Sequence, residues 1–99
     1  MARYSAEEKN EVHSALAATL DGLAAAGREP DAWEEDCLVR AINYVESGNY
    51  LLAKGEVTRF FISPENRPAW QASQLAKNPR RYNLARLKVR FESARRGAG

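Results

Sequence analysis

Ser47-Gly48-Asn49 separates two amphipathic stretches within residues 31–61, and this short turn constrains the fold more than any other feature of the chain. Gly48 can adopt a positive φ and Asn49 can cap the stretch that follows, so the spacing predicts two helices folded back antiparallel. Asp31-Ala32-Trp33-Glu34 supplies a capping box for the first of them, with Asp31 as cap and Glu34 reaching back. Trp33, Cys37, Leu38, Ala41, Ile42 and Val45 then recur on one face. Glu34, Glu35, Asp36, Arg40, Asn43 and Glu46 fall mostly on the other, which reads as a solvated face. The second helix of the pair is expected to bury Leu51, Leu52, Val57, Phe60 and Phe61 and to end near Ile62. Gly55 inside it costs about 1 kcal/mol relative to Ala, and its missing side chain would allow another helix close approach.

Elements on either side of the hairpin follow from the same signals. Ser5-Ala6-Glu7-Glu8 is a second capping box, followed by Val12, Leu16, Leu20 and Leu23 at helical spacing and by Gly27 as a left-handed stop. Pro64 and Pro68 forbid a continuous helix across residues 63–68. A short helix is expected beyond them, capped by Asn66, carrying Ala69, Trp70, Ser73, Leu75 and Ala76, and stopped by Asn78-Pro79. From Arg80 to about Arg95, Leu84, Leu87, Phe91 and Ala94 share a helical face, although Leu87, Val89 and Phe91 also alternate as in a strand. Abundant Ala, Leu, Arg and Lys and the lack of a partner strand favour helix. The expected fold is all-α: four to five short helices in a compact bundle around the central hairpin, one domain over 1–96, and a frayed tail at 97–99.

Ala41, Tyr44, Gly48, Tyr50, Ala53 and Pro64 give residues 33–64 a pattern that resembles one tetratricopeptide repeat, departing from it at Arg40 and Val57. No second copy occurs at the required period. The resemblance implies a helical hairpin and a role in protein interaction, and it carries no peptide-binding residue over to this sequence.

The net charge of +2 conceals a polar division. Residues 1–50 hold four basic and ten acidic side chains, for −6, and residues 51–99 hold eleven and three, for +8. Such asymmetry implies either internal pairing of the halves or a basic surface for an acidic partner. Cys37 is the only cysteine, so no internal disulfide or thiolate zinc cluster is expected. No run approaches the ~20 apolar residues of a membrane span, and no hydrophobic segment follows Arg3 as in a signal peptide. A cytoplasmic protein is the expectation.

Few residues could carry chemistry. His13 is the only histidine and reads as structural and partly exposed; Cys37 lies on the buried stripe. Glu34, Glu35 and Asp36 point in different directions from one helix and cannot converge on an ion unaided. No phosphate loop, nucleophile elbow or metalloprotease helix is present. No catalytic, cofactor-binding or metal-ligating residue is expected, and no cofactor. Trp33 and Trp70 read as core anchors, whereas Tyr44 and Tyr50 near the turn are candidates for a partner surface. The basic segment 77–96 offers candidate nucleic-acid contacts at Arg80, Arg81, Arg86, Lys88, Arg90, Arg95 and Arg96, with Lys77 beside them. The function expected is a small non-catalytic interaction or assembly module that self-associates, because some of Leu51, Phe60, Phe61 and Trp70 would stay exposed in a monomer. A nucleic-acid-binding accessory protein is the alternative.

Overall fold

Both capping boxes form. Ser5 Oγ accepts the Glu8 amide at 3.1 Å while the Glu8 carboxylate takes the Ser5 amide at 2.9 Å. Asp31 and Glu34 repeat the exchange at 2.8 and 2.9 Å. These reciprocal bonds satisfy amides that a helix start leaves without partners. The computed structural model describes residues 4–78 and 82–98. It contains α1 (Ala6–Ala25), α2 (Ala32–Glu46), α3 (Tyr50–Phe60), α4 (Ala69–Lys77) and α5 (Leu84–Ala98), with a 3-10 turn at Pro64–Asn66. Among the described residues there is no strand.

The first two helices stop in the same way. Gly27 (φ 63°) and Gly48 (φ 81°) take the left-handed conformation one residue past the C-caps Ala26 and Ser47. Arg28 N–H then bonds the Leu23 carbonyl, and Asn49 N–H the Tyr44 carbonyl, at 3.1 and 2.7 Å. Both are Schellman stops, so the backbone reverses without leaving terminal carbonyls unpaired.

α2 is the central element, packed against α3, α4 and α5, and α1 closes the bundle across α3 and α5. Leu16 and Leu20 from α1, Leu38 and Ile42 from α2, and Leu87 and Phe91 from α5 are fully buried. Each such side chain contributes about 1.5–3 kcal/mol of transfer free energy. Leu87 and Phe91 are buried while Val89 is 70% exposed, a helical and not an alternating pattern.

Several expectations need correction. α3 starts after its Asn49 cap as expected, but its inward positions are Tyr50, Ala53, Phe60 and, in part, Val57. Leu51, Leu52 and Phe61 fall off that face and stand in solvent. Trp70 is 68% exposed: α4 buries no residue fully and leans on the core only through Ala72 and Leu75. Asn66 lies in the 3-10 turn and does not cap α4, where Pro68 holds the cap position without a side-chain bond. Arg67 anchors this corner, donating to Asp31 at 3.1 Å and to the Ile62 carbonyl at 3.2 Å beside the Trp33 ring. Gly55 faces open space, where an added Cβ would meet no atom within 4 Å, so it does not serve a close helix approach. α5 begins at Leu84 and continues through Gly97 to Ala98.

Among the described residues no helix is long and apolar enough to cross a membrane, and Cys37 is a free, buried thiol. Burial pushes that thiol's pKa up to about 12, so it stays protonated and inert.

Candidate interaction surface

The acidic cluster Glu34-Glu35-Asp36 of α2 does not form a solvated face, whereas Arg40, Asn43 and Glu46 further along the helix are exposed. Glu34 is buried and receives both guanidinium nitrogens of Arg28, at 2.7 and 2.9 Å. That bidentate bond holds the Arg28 pKa above its ordinary value. Asp36 binds Arg59 at 2.9 Å and Arg40 at 3.2 Å. Glu35 accepts the Tyr82 amide at 2.9 Å, and Glu29, ahead of α2, accepts the Leu84 amide at 2.7 Å. Acidic residues of the first half thus hold the start of α5, the helix dipole adding to the attraction. Sequence spacing gave no sign of these bonds because their partners lie about fifty positions apart.

Tyr50 is only 2% exposed and does not belong to a partner surface. Its hydroxyl lies 3.0 Å from His13 Nε2, and its ring meets those of His13 and Tyr4 edge-on. Burial, together with Arg95 and Lys9 nearby, lowers the His13 pKa. Tyr44 is half-buried and leans on the core.

The basic residues of α5 divide between two flanks. Lys88 and Arg95 lie on the side of α1, with Lys88 reaching Asp21 at 3.7 Å and Arg95 paired to Glu92 at 2.6 Å. Arg86 and Arg90 lie on the other side, stacked around Tyr82. Arg90 also donates to the Tyr82 hydroxyl at 2.8 Å and to Asn43 Oδ1 at 2.7 Å. Arg90 borders a cleft of about 420 Å³ between α2, α4 and α5, in which Glu35 and Asp36 oppose it. Arg96 is exposed at the end of α5, as is Lys77 at the end of α4. Arg80 and Arg81 lie outside the described residues.

An apolar groove of about 430 Å³ runs between α1 and α3. Ala15, Ala18, Gly22 and Ala26 share one face of α1 and form its floor, while Val57, Phe60 and Phe61 form its wall. Phe61 is 67% exposed and meets Phe60 edge-on at 5.0 Å. Thr19, also at the groove, bonds its hydroxyl to the Ala15 carbonyl at 2.8 Å, inside its own helix. A smaller depression of about 150 Å³ shares Ala15 and Val57 with the groove and extends it to Glu11 and Lys54. Those two side chains stand 3.6 Å apart, both largely exposed. Arg28 borders the opposite end.

The helical periodicity of Val12, Leu16, Leu20 and Leu23 does not reveal the groove. Its one legible signal was the recurrence of small residues at positions 15, 18, 22 and 26.

Comparison of the chain with protein-family models, with curated proteins and with solved structures finds no match.

Proposed function

We propose that this chain is a non-catalytic helical interaction or assembly module that self-associates, with the α1/α3 groove as its working surface. The observation that carries the reading is the groove itself: an open apolar concavity beside an exposed Phe61, with its one hydroxyl already bonded. Contiguous apolar surface of this kind marks association sites on small domains, and grooves between helices receive apolar helix faces. The α2–α3 hairpin, with Ala41 and Ala53 buried at its seam, is compatible with the resemblance to a single tetratricopeptide repeat, a unit that serves protein contacts. The buried free thiol suits a reducing cytoplasm.

The nucleic-acid alternative has less support. Its cations are distributed over two flanks of α5, and Lys88, Arg90 and Arg95 already have partners on this chain. Steep salt-dependent binding of duplex or single-stranded nucleic acid would favour it nonetheless. Sedimentation across micromolar concentrations tests the main reading. Reversible, concentration-dependent association is the expected result, and a monomer at every concentration would overturn it.

A further inference from the structure

We infer that the solvent face of α5 centred on Val89 is a docking surface for a segment of another protein that carries carboxylates around an apolar side chain. This surface shares no residue with the α1/α3 groove, so recruitment here and self-association there are independent.

Helical spacing builds the face. Ala85, Arg86, Val89, Arg90, Ser93 and Arg96 recur three or four positions apart, on the side of α5 away from Leu84, Leu87, Phe91 and Ala94 in the core. Glu92, the one acid of α5, lies toward the α1 flank and binds Arg95 there at 2.6 Å. At the centre Val89 is 70% exposed, and a concavity of about 390 Å³ opens beside it, lined by Tyr82, Ala85, Arg86 and Arg90.

Charge identifies the occupant. Arg28, Arg40, Arg59, Arg67 and Arg95 each pair with a carboxylate of this chain. Among the described residues Arg86, Arg90 and Arg96 pair with none. Arg90 bonds two neutral oxygens, those of Tyr82 and Asn43, while Asp36 across the neighbouring cleft is held by Arg40 and Arg59. The Tyr82 ring lies 5.6 Å from the Arg86 guanidinium and 5.1 Å from that of Arg90, which fixes both cations beside the concavity before anything binds. A guanidinium presents its donors as a planar fork that matches a carboxylate. An incoming carboxylate therefore gains charge-assisted bonds without displacing an acid of this chain, and an apolar side chain next to it removes Val89 from water. Nucleic acid is a poorer complement, because the face presents a valine at its centre and only three cations to phosphates.

The test selects ligands for the whole immobilised chain from a phage library of random dodecapeptides and measures the enriched sequences as fluorescein-labelled synthetic peptides. The peptides are expected to carry carboxylates beside an apolar residue. Arg86→Glu and Val89→Glu should each raise their dissociation constant at least about tenfold, and added salt should weaken binding. Both side chains are exposed, so helical circular dichroism is retained in both variants. Phe61→Ala, in the α1/α3 groove, should leave the affinity unchanged. Enriched peptides that lack acids, binding that Arg86→Glu leaves intact, or no enrichment over the Arg86→Glu/Val89→Glu double variant overturns the inference. So does a labelled duplex or single-stranded oligonucleotide that binds at near-physiological salt and is released by Arg86→Glu. Each of these outcomes leaves the self-association reading to its own test by sedimentation.

Discussion

Glu34 grips Arg28 through both carboxylate oxygens, at 2.7 and 2.9 Å, while one of those oxygens also accepts the Asp31 amide at 2.9 Å. One buried carboxylate therefore ties together the stop of α1, the connection after it and the start of α2. Arg28→Met is expected to leave that carboxylate with the amide bond alone, costing about 1–3 kcal/mol. For a chain of this size, each kcal/mol lowers the thermal midpoint by about 4–8 °C. Calorimetry at neutral pH checks it, and an unchanged midpoint would show that solvent replaces the arginine.

His13 should give the fold a pH dependence. Its pKa is lowered in the folded chain, so the unfolded chain binds more protons below the ordinary value of about 6.5. The stability associated with a neutral His13 is thus complete above that value and is lost as pH falls below it. The groups facing the ring are Tyr50, Phe91, Lys9 and Arg95, and both cations oppose a third positive charge. His13→Gln keeps a hydrogen-bonding group opposite the Tyr50 hydroxyl and should flatten the pH dependence of the urea midpoint between pH 7.5 and 5. An unaltered slope would assign the effect to other groups. Asp31, whose pKa is also lowered by its bonds to the Glu34 amide and to Arg67 against the opposing effect of burial, contributes only at more acidic pH, below its ordinary value of 3.8.

The two tryptophans should behave as opposites. Trp33 is buried, donates to the Arg59 carbonyl at 3.0 Å and lies beneath the Arg59 guanidinium at 4.2 Å. Trp33→Ala is expected to cost about 3–5 kcal/mol, whereas Trp70→Ala should change stability by no more than about 0.5 kcal/mol. Iodide quenching of single-tryptophan variants, Trp33→Phe and Trp70→Phe, supplies an independent check. The emission that survives in Trp33→Phe should quench readily, and that in Trp70→Phe should be protected.

Local signals made much of the helical framework legible. Ser5, Asp31, Gly27 and Gly48 act within four residues of themselves, and each does what its spacing implies. Periodicity failed in α3, where the face bearing Tyr50 and Ala53 packs inward and leaves Leu51 and Phe61 outside, so the tyrosine expected on a partner surface became part of the core. Composition also misjudged Trp70, because a large apolar residue is buried only if another element arrives to cover it, and α4 has α2 on one side alone. The groove was the least legible feature. It is defined by what α1 lacks and by where α3 lies, and only the second of these depends on tertiary structure.

The bonds from Glu29 and Glu35 to the start of α5 have a further consequence, for cooperativity. Leu84, Leu87, Phe91 and Ala94 complete the core that α1, α2 and α3 begin, so undocking α5 exposes the same leucines and isoleucine that hold the other three helices together. Closing those contacts spans about fifty intervening residues, an entropic cost that is recovered only when the whole apolar surface is covered. The fold therefore has no half that can open while the other stays shut. Amide exchange in α2 and α5 should proceed through one shared global opening, with α4 exchanging ahead of it.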